Sequence, residues 1–67
     1  MVKLHLKAAR VNASMTIDEV SEAVGVARST LIRWEREETF PTAIQLQELA
    51  KLYGCEINDF FIPETLT

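Results

Sequence analysis

The stretch Met15–Glu35, MTIDEVSEAVGVARSTLIRWE, decides how the rest of the chain folds. Its apolar residues recur at three and four positions, the spacing of one face of an α-helix, rather than in the alternation of a strand. Thr16-Ile17-Asp18-Glu19 has the form of a capping box. The Thr16 hydroxyl can accept from the Glu19 amide while the Glu19 carboxylate reaches back to the Thr16 amide. Asp18 and Glu19 also lie where a helix dipole favours negative charge. The helix that follows is expected to turn Val20, Ala23 and Val24 inward and to stop at Gly25, which tolerates a left-handed backbone. A second helix then runs from about Ala27 to about Glu37.

Working outward gives an all-α chain of five short helices in a single domain, residues 1–67. The first helix spans about Lys3 to Asn12, with Leu6, Ala9 and Arg10 on one stripe, and breaks at Asn12-Ala13-Ser14. Beyond Phe40-Pro41, Thr42-Ala43-Ile44-Gln45 is a second capping box. It opens a fourth helix that presents Leu46, Leu49, Ala50 and Tyr53 before Gly54. A fifth, from Glu56 to Phe61, precedes Pro63 and a polar tail, so helices four and five fill about 42–62 and the tail 63–67.

Sixty-seven residues, 48% of them hydrophobic, suffice for one small core and exclude a disordered chain. The single cysteine, Cys55, rules out an intrachain disulfide. It is expected to act as a small, partly buried hydrophobe. No signal peptide is visible, and no apolar run approaches the roughly 20 residues needed to span a bilayer. The chain is expected to be complete and cytoplasmic. His5 has no nearby cysteine or second histidine, so it is expected to be solvated; neither a metal nor a cofactor is expected. Paired carboxylates in a pocket, a nucleophile with its base and a phosphate-cradling glycine loop are all missing, which argues against an enzyme.

The net charge of −3 is unevenly spread. Residues 1–36 hold six cations against four acids, whereas residues 37–67 hold one cation against six acids. Local field, not the average, decides what a face attracts. At about 100° per residue, Ala27, Leu31 and Trp34 of the third helix fall on one stripe. Arg28, Ser29, Ile32, Arg33 and Arg36 fall nearly opposite, with Thr30 and Glu35 on the borders. That outward face carries three arginines and no acid. Trp34 and Met15 are assigned to packing.

Helices two and three also meet the demands of two helices crossing steeply. Ser21 is small where the backbones approach, Gly25 supplies the turn four residues later, and Val20, Val24, Val26, Leu31 and Trp34 can share a core. On these residues, and on the order of "FPTAIQLQELAKLYGCEINDFF" (residues 40–61) after them, the chain resembles the lambda-repressor-like, Cro/cI-type helix-turn-helix domains, also called the XRE family. The resemblance covers nearly the whole chain and places the helix-turn-helix at about 16–36.

The resemblance implies a sequence-specific regulator of transcription, a repressor of phage, prophage or autoregulatory type, encoded by a bacterium or phage. It would bind double-stranded DNA with the third helix in the major groove. Arg28, Ser29 and Arg33 match the positions that touch bases, and Ile32 would cover a thymine methyl. Thr30 and Arg36 would meet the backbone. So would the start of helix two at Thr16, Ile17 and Asp18, where free amides face outward. Arg10 and Glu35 match a buried ion pair that joins helices one and three. The chain departs from the family at Ile17, where glutamine is common, at Ala27, where Ser or Thr usually caps the recognition helix, and at Glu37 and Glu38, where basic residues are frequent. By the same resemblance Phe60 or Phe61 would plug the domain and the other join an apolar patch, and a homodimer through residues 57–66, using Ile57, Phe60, Phe61, Ile62 and Leu66, would set two recognition helices on palindromic half-sites. The competing readings are an antitoxin-like protein that binds a toxin and regulates its own operon, and an adaptor that uses the same shape without DNA.

Overall fold

The computed structural model describes residues 4–60. They form α1 (Leu6–Asn12), α2 (Ile17–Val24), α3 (Arg28–Glu35) and α4 (Ala43–Tyr53), followed by a single 3-10 turn, Ile57–Asp59. Both capping boxes form. The Glu19 amide donates to Thr16 Oγ1 at 3.1 Å and the Thr16 amide to Glu19 Oε1 at 2.8 Å. Thr42 and Gln45 repeat the exchange at 3.2 and 2.8 Å. These bonds satisfy amides that a helix start otherwise leaves unpaired. Ala27, which precedes α3, makes no such side-chain bond.

All four helices stop in the same manner. The chain turns left-handed, and the amide after the turn reaches back to a carbonyl five residues earlier. After α2 this turn is Gly25 (φ 79°), with the Val26 amide on the Ser21 carbonyl at 3.1 Å. After α4 it is Gly54 (φ 73°), with Cys55 on Ala50 at 2.9 Å. The other two turns use residues that bear a Cβ. Ser14 (φ 57°) sends Met15 back to Arg10 at 3.2 Å, and Glu37 (φ 62°) sends Glu38 back to Arg33 at 3.0 Å. A side chain in this region crowds its own carbonyl, so these two stops are strained.

The core is built where the helices converge. Val20, Leu31 and Leu49 have no exposed surface, and Ala9, Trp34, Ala50 and Phe60 are nearly as deep. Met15, Val24, Val26 and Leu46 pack around them. In a domain this small, whose total stability is only several kcal/mol, opening one cavity at Leu31 or Leu49 costs about 2–5 kcal/mol and suffices to unfold it. Ser21, buried at the α2–α3 crossing, donates its hydroxyl to the Asp18 carbonyl at 3.1 Å, so the close approach leaves no polar group stranded.

Four expectations from the sequence change. There are four α-helices among the described residues, not five. Phe60 is extended (ψ 145°) and bridges Leu4 in parallel, with the Leu4 amide on the Asp59 carbonyl at 2.7 Å. A residue so engaged cannot continue a helix, and the expected fifth helix shrinks to one turn. For the same reason Phe60 leaves the expected dimer surface: it is 2% exposed and meets Tyr53 edge-on at 6.4 Å. Ala23 is exposed rather than inward, because the stripe that packs is narrower than the three residues assigned to it. Finally, α1 begins at Leu6 and α3 ends at Glu35, both shorter than the periodicity suggested.

Two measurements follow from the helix ends. Ser14→Gly relieves the left-handed strain and raises the urea midpoint by the equivalent of about 0.5–1 kcal/mol, while Ser14→Ala, equally strained, brings no gain. The bonds from Thr16 hold the Glu19 carboxyl below its ordinary range. A depressed carboxylate stabilises the fold above its unfolded value and loses that contribution as pH falls through the folded one. The stability of the native chain therefore drops between about pH 6 and about pH 3 more steeply than that of Glu19→Gln, which keeps the hydrogen bond and lacks the charge.

Candidate nucleic-acid interface

Behind α3, beside the buried Leu31 and Trp34, lies one charged contact. Arg10 of α1 donates from Nε to Glu35 Oε2 at 2.7 Å and from Nη2 to Glu35 Oε1 at 3.2 Å. Its remaining nitrogen, Nη1, donates to the Met15 carbonyl at 2.9 Å, just before α2. One guanidinium thus ties together α1, the entry to α2 and the end of α3. The two side chains are only 13% and 6% exposed. The Glu35 hydrogen bond raises the Arg10 pKa further, against the lowering effect of burial. Tyr53 lies close enough to feel both charges, and burial pushes its phenol well above the usual tyrosine range.

With Leu31 and Trp34 buried and Glu35 tied down, the other side of α3 faces out. Arg28, Ser29, Ile32, Arg33 and Arg36 are exposed and Thr30 is half-buried. Ile32, 37% exposed, is one of only three large hydrophobic residues exposed among those described. The start of α2 adjoins this face: Thr16 and Asp18 are exposed and Ile17 is half-buried. The capping box uses the amides of Thr16 and Glu19 and leaves those of Ile17 and Asp18 outside it. Ile17 and Ile32, far apart in sequence, line one cleft of about 400 Å³ with Lys7, Arg10, Glu35 and Arg36. Where the family often has a glutamine, this chain builds an apolar floor flanked by cations.

The charges of the face are less free than the helix wheel implies. The Arg28 Nε lies 2.6 Å from Asp18 Oδ1, and the Arg36 Nε lies 3.0 Å from Glu38 Oε2. Arg33 has no ion pair among the described residues. The wheel showed no acid on the outward face of α3 because it treats one helix alone, whereas Asp18 reaches across from α2. No periodicity links positions ten apart across a turn, so the sequence carried no signal for this contact. Glu37 turns away to His5, whose Nδ1 is 2.9 Å from Glu37 Oε1; His5 is thus exposed and engaged, rather than simply solvated.

The other expected site residues separate. Ile57 is half-buried against the core and Phe60 is within it, while Phe61, Ile62 and Leu66 lie outside the described residues. Cys55 is half-buried, and burial, aided by the Asp59 charge, pushes its thiol up. No three metal-ligating side chains cluster among the described residues. No helix among them is long and apolar enough to cross a membrane.

A family profile described as helix-turn-helix matches residues 6–60, from the first residue of α1 to the buried Phe60. The chain belongs to the XRE-type helix-turn-helix family. It is 32% identical over 63 residues to an uncharacterized HTH-type transcriptional regulator of Methanocaldococcus jannaschii, an alignment covering 94% of this chain and 96% of the relative. It is 28% identical over 61 residues to an uncharacterized HTH-type transcriptional regulator of Archaeoglobus fulgidus, covering 91% and 86%. The matched span includes α2, the Gly25 turn and α3.

Breaking the pair behind that helix should be costly. Arg10→Met leaves the part-buried Glu35 carboxylate unpaired and is expected to cost about 1.5–3 kcal/mol. The double replacement Arg10→Met with Glu35→Leu recovers most of the loss, because no buried charge remains. Denaturant unfolding of the three chains measures both effects.

Proposed function

We propose that this chain is a sequence-specific, double-stranded DNA-binding regulator of transcription that reads the major groove with α3. The observation that carries the reading is the division of α3: Leu31 and Trp34 are buried while Arg28, Ser29, Ile32 and Arg33 are exposed on the other side. A helix fixed by its back and lined with forked donors in front suits a groove whose base edges offer acceptors. Arginine can donate to guanine O6 and N7 together, serine can donate or accept, and isoleucine can cover a thymine methyl. Thr30, Arg36 and the α2 amides at Ile17 and Asp18 flank these residues, with the Thr16 cap beside them. They would set the register on phosphates without reading sequence. The role is binding, not catalysis.

A protein seated this way would act most simply as a repressor, excluding other proteins from the DNA it covers. Two relatives carrying the name of transcriptional regulator come from cellular organisms, which favours a cytoplasmic autoregulator of a cellular gene over a phage origin. Palindromic half-sites would require a two-fold dimer, for which Ile57 and the segment after Phe60 remain the proposed surface.

Selection of bound duplexes from a random pool tests the reading. The native chain should enrich a defined sequence. Arg33→Ala should lose about 1–3 kcal/mol on that sequence and relax the preference at one base pair. Uniform weakening on every sequence would instead make Arg33 a phosphate anchor and remove it from the reading head.

A further inference from the structure

We infer that the cleft beside the outward face of α3 binds a small amphiphilic anion, an apolar chain or ring that ends in a carboxylate. Its competition with DNA rests on the DNA-binding reading above; its binding does not. The cleft lies between α1, the start of α2 and α3, and has a volume of about 400 Å³. That is at the small end of the roughly 300–1,000 Å³ of small-molecule sites. Ile17 and Ile32 give it an apolar floor, and Ile32 is 37% exposed. Apolar surface left open to water gains by being covered. The charges around the floor are not equivalent. Arg10 and Glu35 satisfy one another, and Arg36 is paired with Glu38. Lys7 lines the same cleft, is exposed and has no ion pair among the described residues. The rim thus carries one uncompensated positive charge beside an apolar floor. Its complement is one negative charge on an apolar body.

A DNA phosphate is the competing occupant, and it suits the floor less well. It is compact and strongly hydrated, so seating it on two isoleucines removes water without replacing the lost hydrogen bonds. Phosphates ordinarily meet cations and backbone amides instead. The cleft between α2 and α4 marks the difference. It has a volume of about 340 Å³ and is made apolar by Ala23, Val24 and Leu52, but Glu48 and Lys51 supply charge of both signs there. That cleft has no preference for an anion. Ile32 also belongs to the outward face of α3, next to Arg33. A ligand that covers it withdraws the apolar contact offered to a thymine methyl. Its carboxylate adds negative charge where the DNA backbone would approach. Occupation of the cleft and of the groove therefore oppose one another, and each weakens the other by the same factor.

Sodium octanoate is the probe, with acetate supplying the charge without the chain and octan-1-ol the chain without the charge. Binding is followed through the methyl resonances of the native chain. Octanoate should shift those of Ile17 and Ile32 saturably at about millimolar concentration, while those of Val24, Ile44 and Leu52 stay in place. Ile44, 70% exposed, reports adsorption to any apolar surface. Acetate should give no saturable shift, and octan-1-ol should bind about two- to fivefold more weakly than octanoate. Lys7→Gln, at an exposed position, should keep its circular dichroism and lose that difference. Ile17→Gln should weaken octanoate and octan-1-ol alike. At ten times its dissociation constant, octanoate should lower affinity for the selected duplex about tenfold relative to an equal concentration of acetate. Octanoate that shifts no methyl, shifts Ile44 as readily as Ile32, or binds Lys7→Gln as tightly as the native chain overturns the site. Saturable binding that leaves DNA affinity unchanged overturns the competition. Shifts of Ile17 and Ile32 caused by the duplex and not reversed by octanoate make the cleft a seat for DNA and overturn both. A native chain with no preferred sequence overturns the regulator reading and leaves the octanoate titration standing.

Discussion

Arg10 and Glu35 meet in a largely enclosed space between α1 and α3, and that meeting helps to set how α3 lies against α1. Taking two charges out of water is unfavourable, and their attraction offsets the loss only if the geometry is good and the remaining donors find partners. Both conditions hold. The contact is forked, and the third nitrogen of Arg10 reaches the Met15 carbonyl. A hydrophobic pair could pack these helices as tightly, but without directional contacts. A forked pair has one register, so the contact sets direction where apolar packing sets only proximity.

The front of α3 answers to different physics. Its side chains are solvated, so its ion pairs contribute little to stability, and their value lies in where they leave the charge. Glu38 engages Arg36, Glu37 engages His5, and Asp18 engages Arg28. Of the two acids that looked hostile to DNA in the sequence, Glu38 thus engages Arg36 and Glu37 is held by His5. The strain at Glu37 belongs to the same pattern. Its left-handed turn closes α3 through the Glu38–Arg33 bond and directs the chain away toward Phe40.

Much of this was legible in the sequence because it rests on short-range rules. Capping boxes at Thr16 and Thr42, the stops at Gly25 and Gly54, the buried stripe of Leu31 and Trp34, and the exposed run of Arg28, Ser29, Ile32 and Arg33 all follow from spacing within one helix and its ends. What escaped depends on contacts between segments far apart. Phe60 reads as helical, and as core plug or interface alike, until Leu4, fifty-odd positions away, takes its backbone into a bridge. Ile17 reads as a defect in a phosphate-binding position until it is seen beside Ile32 on the floor of a cleft. Asp18 reads only as a helix-starting acid until the turn at Gly25 folds α2 back beside Arg28. The fold was written mostly in local pattern, whereas the character of the site was written in pairings that local pattern cannot show.

The acidity of the chain can be understood from that distinction. Glu48, Glu56 and Asp59 belong to α4 and the 3-10 turn, and α4 packs against α1 and α2. Their charges keep the chain net negative without entering the outward face of α3. Close to that face the acids Asp18 and Glu38 each pair with an arginine. A strongly basic surface would bind DNA of any sequence through counterion release and would make recognition slow to distinguish sites. A face with one unpaired arginine, two paired arginines and an apolar cleft relies less on that general attraction. Such a face needs the right bases in the right places before the sum of its contacts becomes favourable. A low net charge is therefore compatible with reading DNA, and it shifts the balance from affinity toward discrimination.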